Sequence, residues 1–323
     1  MTVIPLPPNP MIATLGDFVA DLVCTIPSLP VEADLHQIAH SILVEPGGAG
    51  NFVIAAHRLG LDATLLGVMG TDAFGNLAAQ ALESEGIDTS GLIRQSNGTT
   101  TTVIALVDDD SRHVFLGAYG SGPQVTIPAD WFERLKAISA LFISGYSLHE
   151  ERLCAAVLQA IEFARAHAVP IFFDPGPHVR DLPGELIRKV IGMTRVLLLT
   201  DEEIPLVTGG RKGLDDCRRL LEDGPELICV KRGAQGCILM TRDQQISHPG
   251  FLVPVRDTAA AGDSFAAAFI YGYLCAWPLP GIAAFANAMG AAKVQKLGSG
   301  TKVPTLDEVL AVLLDNNVII QFQ

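Results

Sequence analysis

The sequence predicts an α/β fold in which helices cover both faces of a mainly parallel sheet. Short apolar runs alternate with amphipathic segments at helical spacing along most of the 323 residues. Because parallel strands need crossover connections, usually helices, this alternation is typical of such a sheet. Hydrophobic residues make up 49% of the chain and charged residues 18%, which allows a sizeable core and argues against global disorder. The sequence has no evident linker or internal repeat, so residues 1–323 are expected to form a single domain.

Apolar runs and glycine positions locate the predicted elements. The predicted strands are residues 11–16, 63–70, 140–144, 169–175, 195–200 and 226–233, and the predicted helices are residues 51–60, 75–86 and 149–168. The first two of these helices end at a glycine, which commonly follows a helix C-terminus. The apolar runs near 265–276 and 281–292 fall short of the ~20 residues that a membrane span needs, so we interpret them as buried helices. Residues 1–10 are predicted to be an extended tail and residues 316–323 a short terminal strand.

Two segments interrupt the alternation of strands and helices. Residues 99–120 contain two β-rich runs around an acidic turn, Asp108–Asp110, which predicts a hairpin with a solvated tip. Residues 17–44 have poor helical periodicity, and together the two segments are expected to form a small antiparallel flap. His113 and Phe115 alternate along the hairpin and therefore share one face. That face is predicted either to cover a substrate or to pack against a second subunit.

Charge and cysteine content narrow the possible partners and compartment. The net charge of −13 argues against nucleic acid as the main partner, because phosphate neutralisation needs clustered Lys and Arg. The six cysteines form no CxxC pair, which is typical of reduced thiols in a cytoplasmic protein. The N-terminal residues lack the basic and long apolar regions of a signal peptide. We therefore expect a cytoplasmic protein with no membrane partner.

The segment DTAAAGDSFAAAFIYGYL, from Asp257 to Leu274, combines two carboxylates with very small side chains before an apolar helix. Small residues let a ligand approach the backbone, and the unpaired first N–H groups of a helix attract an anion. This pattern predicts an anion pocket at residues 259–262, faced by Asp263 from the first helical turn. A carboxylate beside a phosphate suggests proton handling, as in phosphoryl transfer to an alcohol. The alternative is an ordinary helix N-cap, worth ~1 kcal/mol.

Two further glycine-rich segments could contact ligands. EPGGAGN (45–51) opens a helix near Asn51, where an amide and backbone N–H groups suit a polyhydroxyl ligand. VKRGAQG (230–236) places a cation after a strand and then two glycines, as expected of a loop beside a nucleotide. For both segments a structural turn is the alternative. The P-loop motif, the protein-kinase motifs and a strand-linked GxGxxG are absent from the sequence.

These segments together resemble the ribokinase (PfkB) family of sugar kinases. DTAAAGD (257–263) resembles the family's second signature, and GGAGNFVIAAHRLG (47–60) resembles its first. GDFVAD (16–21), KRGAQG (231–236) and FANAMGAAK (285–293) resemble the end of its first strand, its nucleotide loop and its adenine-side helix. The matches follow the family order over nearly the whole chain.

The resemblance implies a ribokinase-like, three-layer α/β/α sandwich with a β-flap lid, which often makes dimer contacts in this family. It implies ATP and Mg²⁺ as cofactors, K⁺ as a further candidate, and a sugar or nucleoside as the small-molecule substrate. A homodimer through the lid is therefore expected.

The resemblance also implies a role for individual residues. The expected base is Asp263, and the expected anion hole is formed by Ala260, Ala261 and Gly262. The substrate is expected to bind Asp21, Gly48 and Asn51, and the nucleotide to lie along Thr200, Lys231, Gly233, Gly236 and Thr258 with Asn287 near adenine. Mg²⁺ is expected to be supported by Glu203 through water, and a monovalent cation to be held by Asp257 and residues near 298–301.

Three positions depart from the family pattern. Thr200 stands where the family often has Asn before the residue equivalent to Glu203, and Val53 stands where a small residue is usual. DPGPH (174–178) lacks the Asn and Arg of fructokinase-like and ketodeoxygluconate kinase-like members. The Thr200 departure bears on direct contact with phosphate at that position, whereas the other two bear on the substrate.

The sequence is therefore interpreted as an ATP-dependent kinase that phosphorylates a primary hydroxyl of a sugar or sugar-like molecule. A nucleoside kinase of the same family is the nearest alternative, because Phe115 and Tyr119 of the flap could clamp a base. A catalytically silent sugar-binding or regulatory protein is the alternative from another class. The presence of Asp257, Gly262 and Asp263 argues against it.

Overall fold

The computed structural model describes residues 10–318 of the chain. Its strands are β1 (Met11–Ile26), β2 (Ser41–Gly48), β3 (Asp62–Gly70), β4 (Leu92–Gln95), β5 (Thr101–Asp108), β6 (His113–Ala118), β7 (Ala140–Ser144), β8 (Ile171–Asp174), β9 (Val196–Thr200), β10 (Leu227–Lys231), β11 (Cys237–Met240) and β12 (Gln245–His248). Its helices are α1 (Ala49–Arg58), α2 (Ala73–Ser84), α3 (Ala129–Ala137), α4 (Tyr146–His149), α5 (Glu151–Ala166), α6 (Gly184–Ile191), α7 (Ile204–Val207), α8 (Leu214–Arg219), α9 (Ala261–Leu274), α10 (Leu279–Val294) and α11 (Leu306–Asp315). Most of the tail predicted for 1–10 and of the strand predicted for 316–323 lies outside the described residues.

The main sheet has the strand order β12-β11-β10-β9-β8-β7-β1-β3-β4. From β10 through β4 all neighbouring strands are parallel, and β11 and β12 add an antiparallel edge. The predicted mainly parallel sheet is thus confirmed. After β1 the chain adds β3 and β4 on one side and later returns to place β7 on the other. Such a reversal leaves a crevice at the carboxyl ends of the strands, where α/β proteins bind ligands.

Alternating side chains of the parallel strands pack into two separate cores. On β9, Val196 and Leu198 face one core while Leu197 and Leu199 face the other. Helices α1, α2, α9, α10 and α11 cover the first face of the sheet, and α3, α5, α6, α7 and α8 cover the second. A strand buried on both faces is apolar throughout, which is why the sequence shows continuous runs. The predicted three-layer α/β/α sandwich is confirmed.

Strand β1 is longer than predicted, because it continues past Gly16 to Ile26. Its first part pairs with β3 and β7 in the main sheet, and its second part leaves that sheet. From Phe18 onward it pairs antiparallel with β2, and from Val19 onward parallel with β5. With β6 paired to β5, these strands form a second sheet, here called the lid sheet. One strand therefore belongs to both the main sheet and the lid sheet.

Three local predictions need correction. The flap is not antiparallel throughout, because β1 and β5 pair in parallel. Asp108 is not a solvated turn residue, since its carboxylate is buried and accepts bonds from Leu29 N at 3.1 Å and Arg112 Nε at 2.8 Å. It ties the hairpin tip to the connection between β1 and β2. The helix predicted from residue 149 begins at Glu151, because Glu150 is extended and caps Arg152 N.

The lid sheet exposes several large apolar side chains. They are Ile42, Leu43, Val114, Phe115 and Leu116. The homodimer expected through the lid would cover such a surface. It stays a prediction, which light scattering in solution would test. Among the described residues, no helix is long and apolar enough to cross a bilayer.

Phe52 of α1 stacks on Phe142 of β7 with ring centroids 4.2 Å apart, and both side chains are buried. We expect Phe52→Ala to lower the free energy of unfolding by about 3–5 kcal/mol, because it leaves a cavity in the first core. Phe74→Ala, on the exposed side of α2, is the matched control and should change stability by less than ~1 kcal/mol. Chemical denaturation would measure both. Equal losses in the two variants would contradict this packing.

Candidate active site

A sharp turn precedes α9, the helix whose first turn carries Asp263. Ala260 adopts a left-handed conformation, with φ 58° and ψ 7°, just before the first helical residue. Non-glycine residues adopt it at a cost and are often found so at functional sites. Asp257 holds the turn from beneath, accepting from Ala259 N at 2.9 Å and from Gly298 N at 2.7 Å. The turn thereby presents the N-terminus of α9 at the protein surface, since Thr258 and Gly262 are both exposed.

Asn51 connects Asp263 to a distant part of the chain. Its Nδ2 donates to Asp263 Oδ2 at 3.1 Å, and its Oδ1 accepts from Gly300 N at 2.7 Å. Asn51 lies in the first turn of α1, which packs against α9 on the same face of the sheet. One amide side chain thus fixes the orientation of the Asp263 carboxylate.

The Asp263 carboxylate has an unusually high proton affinity. Its pKa is raised from 3.8 to about 7, chiefly because surrounding protein removes water from it and secondly because the Asp174 carboxylate is near. The hydrogen bond from Asn51 and the charge of Lys231 oppose this rise. The residue is still partly exposed, so it can reach a ligand. A carboxylate of this kind is suited to accept a proton near neutral pH.

A cation and two further carboxylates lie beside the turn. Lys231, at the end of β10, forms an ion pair with Asp174, at the end of β8. A methyl group added at Gly262 would lie 3.9 Å from Lys231 Nζ, which places this ammonium next to the N-terminus of α9. Glu203 is buried and accepts from Thr200 N at 2.9 Å. Burial and the charge of Asp174 raise its pKa to about 7, and Lys231 opposes the rise.

Asp21 projects from the part of β1 that belongs to the lid sheet. Its Oδ2 accepts from Ser299 Oγ at 2.6 Å. A Cβ at Gly47 would overlap the Asp21 carboxylate, so the glycine leaves room for this acid. Burial raises the pKa of Asp21 to about 6, the bond from Ser299 lowers it, and Glu45 adds to the rise. Gly48 is exposed at the N-terminus of α1 and lies on the same side of the crevice as Asp21.

The predicted nucleotide loop follows β10. Gly233–Gln235 form a single 3-10 turn, and Gly236 N donates to Gly233 O at 3.0 Å. Asn287 does not present its amide donors to this loop. It is buried, and its Nδ2 donates to Ala283 O at 2.7 Å and Cys237 Sγ at 3.1 Å. The role expected for Asn287 beside adenine is therefore limited to packing or to its carbonyl oxygen.

His113 and Phe115 make no described contact with the residues around Asp263. Both are exposed on β6, and their rings contact each other with centroids 4.9 Å apart. They share one face of the strand, as predicted. A contact with a substrate would require the lid sheet to approach the crevice.

Sequence reasoning singled out Tyr119 but missed the aromatic residues around it at the mouth of the crevice, which are Tyr146, His149 and His178. Tyr119 stacks on His149, Tyr146 contacts His178, and the two imidazoles lie 6.0 Å apart. Burial and the charges of Asp263 and Asp174 raise the pKa of Tyr146 to about 12. The available signal was the position of Tyr146 and His178 directly after β7 and β8.

Sequence reasoning also missed two buried charged residues. Glu45 accepts from Thr301 N at 2.9 Å and Thr301 Oγ1 at 3.0 Å, which anchors the loop that holds Asn51. Lys293, at the end of α10, is fully buried. A lone lysine in an otherwise apolar helix was the available signal for Lys293.

The chain matches the pfkB family of carbohydrate kinases over residues 9–306. It belongs to this family. The chain is 31% identical over 296 residues to the ATP-dependent ribose-1-phosphate kinase of Halopiger xanaduensis, and the aligned region covers 91% of this chain and 94% of that protein. It is 27% identical over 319 residues to fructokinase-1 of Zea mays, covering 94% and 97% of the two chains. Its fold is that of the Arabidopsis thaliana ribokinase complexed with ribose and ATP, with a TM-score of 0.79, 22% identity, and coverage of 95% and 99%.

We expect Asp263→Asn to stabilise this pfkB kinase at about pH 8. Asp263 binds its proton more tightly in the folded state, so its contribution is favourable at low pH and is lost as pH rises through about 7. The amide cannot ionise and avoids that loss. The gain in unfolding free energy should shrink as pH falls toward 5.

Asp243→Asn, on an exposed turn, is the matched control and should show no such pH dependence. Denaturant titrations of the variants and the wild type across this pH range would measure the effect. A gain that stays constant with pH would show that the proton affinity of Asp263 is ordinary.

Proposed function

We propose that the chain transfers the γ-phosphoryl group of ATP to a primary hydroxyl of a sugar or sugar-like molecule. The observation that carries this proposal is the Asp263 carboxylate, oriented by Asn51 beside a helix N-terminus and with a pKa raised to about 7. A base and an anion-binding N-terminus in one place suit transfer of phosphate to an alcohol.

Asp263 would act on the acceptor hydroxyl. Its Oδ2 is held by Asn51, which leaves Oδ1 to accept the hydroxyl proton as the oxygen attacks phosphorus. The N–H groups that open α9 would stabilise the negative charge on the transferring phosphoryl, as in an oxyanion hole. The Lys231 ammonium beside Gly262 would add a compensating positive charge.

The acidic cluster fits a Mg²⁺ ion accompanying ATP. Burial and then the charge of Asp174 raise the pKa of Glu203, although Lys231 pairs with Asp174 and opposes the rise. Hard oxygen ligands of this kind suit Mg²⁺, which usually keeps several waters. Glu203 would hold the ion through such a water, and the ion would neutralise phosphate charge when bound.

The acceptor would be recognised by its hydroxyl groups. Asp21 can accept hydrogen bonds from two neighbouring hydroxyls, and the exposed backbone at Gly48 offers a further polar contact. Because β1 continues into the lid sheet, Asp21 lies above the crevice. Binding of the acceptor to Asp21 would therefore couple to lid closure, which would exclude water from the transfer.

A nucleoside is the second candidate acceptor. The aromatic group of Tyr119, Tyr146, His149 and His178 is the observation that favours it. Planar rings beside the reacting acid could stack on a nucleobase, while a bare sugar would use them less.

The test is ADP release with Mg²⁺ present, measured against a panel of pentoses, hexoses, polyols and nucleosides. A sugar as the best acceptor would support the first candidate and a nucleoside the second. ATP binding with no acceptor-stimulated turnover across the panel would contradict both and favour the silent sugar-binding protein.

With the best acceptor, Asp263→Asn should lower kcat by about 10²–10⁴-fold, because it removes the general base. The variant should still bind ATP and acceptor, as measured by calorimetry. Asp243→Asn serves as the control and should keep the wild-type rate. Activity retained in Asp263→Asn would rule out its role as the base.

A further inference from the structure

A monovalent cation beneath the anion-hole turn does not fit the groups that this chain places there. Both oxygens of Asp257 already accept backbone N–H groups, from Ala259 and from Gly298. The carbonyl oxygen of Lys296, in the loop that contains Gly298, accepts a hydrogen bond from the Lys293 ammonium at 3.2 Å. An ion bound at Asp257 would therefore have to lie close to a second positive charge.

Lys293 is buried far more completely than a lysine at a helix end normally is. Its side chain has 0% exposure, although lysine is almost never fully buried unless it is paired. Burial lowers its pKa to about 8, and the charge of Asp257 opposes that effect. Asp257, 3% exposed, is thus the main compensating charge for this ammonium.

Lys293 and Asp257 lie where the end of α10 is fastened to the anion-hole turn. Val294 O accepts both Arg256 N at 2.7 Å and Asp257 N at 3.2 Å. The Asp257 carboxylate in turn accepts hydrogen bonds from Ala259 N in the turn and from Gly298 N in the loop after α10. A positive charge at this point attracts the Asp257 carboxylate and helps to hold it in place, and Asp257 in turn holds the turn in which Ala260 adopts its left-handed conformation.

We propose that the buried ammonium of Lys293 takes the place of a dissociable monovalent cation beneath the anion-hole turn, so that phosphoryl transfer needs no potassium. Lysine is suited to this role because its ammonium is a compact point charge. Lys293 is a positioning residue, acting on the anion hole through Asp257. This inference rests on the proposed kinase function.

The test compares K⁺, NH₄⁺ and tetramethylammonium at constant ionic strength. The wild type should show the same kcat and thermal midpoint in all three, because its cation is covalently attached. Lys293→Ala removes the charge and leaves room for an ion. Its kcat should fall about tenfold in tetramethylammonium and recover in K⁺ or NH₄⁺. Without substrate, its thermal midpoint should rise by about 2 °C in K⁺.

Lys296→Met is the matched control, since its half-buried ammonium pairs with Glu308 and is three residues away. It should remain insensitive to the cation. If Lys293→Ala fails to fold, the comparison of cations on the wild type still tests the proposal. In addition, the double variant Asp257→Asn/Lys293→Met should be more stable than Lys293→Met, because the single variant leaves the buried Asp257 carboxylate without its compensating charge.

A wild type that K⁺ activates about tenfold would overturn the proposal. So would a deficit in Lys293→Ala that is identical in every cation, or a double variant no more stable than the single one. A wild type that phosphorylates no acceptor would refute the proposed function instead. The thermal measurements, made without substrate, would still decide the role of Lys293.

Discussion

The crowding of carboxylates around one helix N-terminus is the constraint on which this site depends. Burial and then the charge of Asp174 raise the pKa of both Glu203 and Asp263, and Asp21 adds to the rise at Asp263. A site that binds phosphate must nevertheless be locally positive. The structure meets both requirements with backbone dipoles at α9 and with Lys231, whose ion pair to Asp174 stands beside Gly262. Proton affinity and anion binding therefore arise from the same few groups.

Long-range contacts hold these groups in register. Asn51 joins α1, α9 and the loop at Gly300, and Glu45 anchors that loop again through Thr301. Because β1 runs without interruption from the main sheet into the lid sheet, Asp21 lies on the same strand as residues of both sheets. Ser299 and Gly300, which are adjacent in one loop, thereby contact both Asp21 of the lid sheet and Asn51 beside Asp263.

Much of the fold could be predicted because each parallel strand is apolar on both faces and each connecting helix is amphipathic. Asp263 and Asn51 could be placed near the starts of two helices because small residues precede each of them, and the structure joins the two by a hydrogen bond. The Lys231–Asp174 ion pair was not found, because it depends on β8 and β10 ending at one edge with β9 between them. Strand order is not readable from one sequence. Lys293 was missed because a lysine in the last turn of a helix normally interacts with the helix dipole at the surface.

The pH dependence of kcat/KM tests the central claim most directly. For the wild type, kcat/KM should fall below an apparent pKa of about 7 as Asp263 becomes protonated. Asn51→Ala removes a hydrogen bond that favours the ionised form, so its acidic limb should move to higher pH. Asn76→Ala, on the exposed surface of α2, should leave the limb in place. A wild-type rate that stays constant down to about pH 5, or a limb that Asn51→Ala does not move, would contradict the assignment of Asp263 as the base.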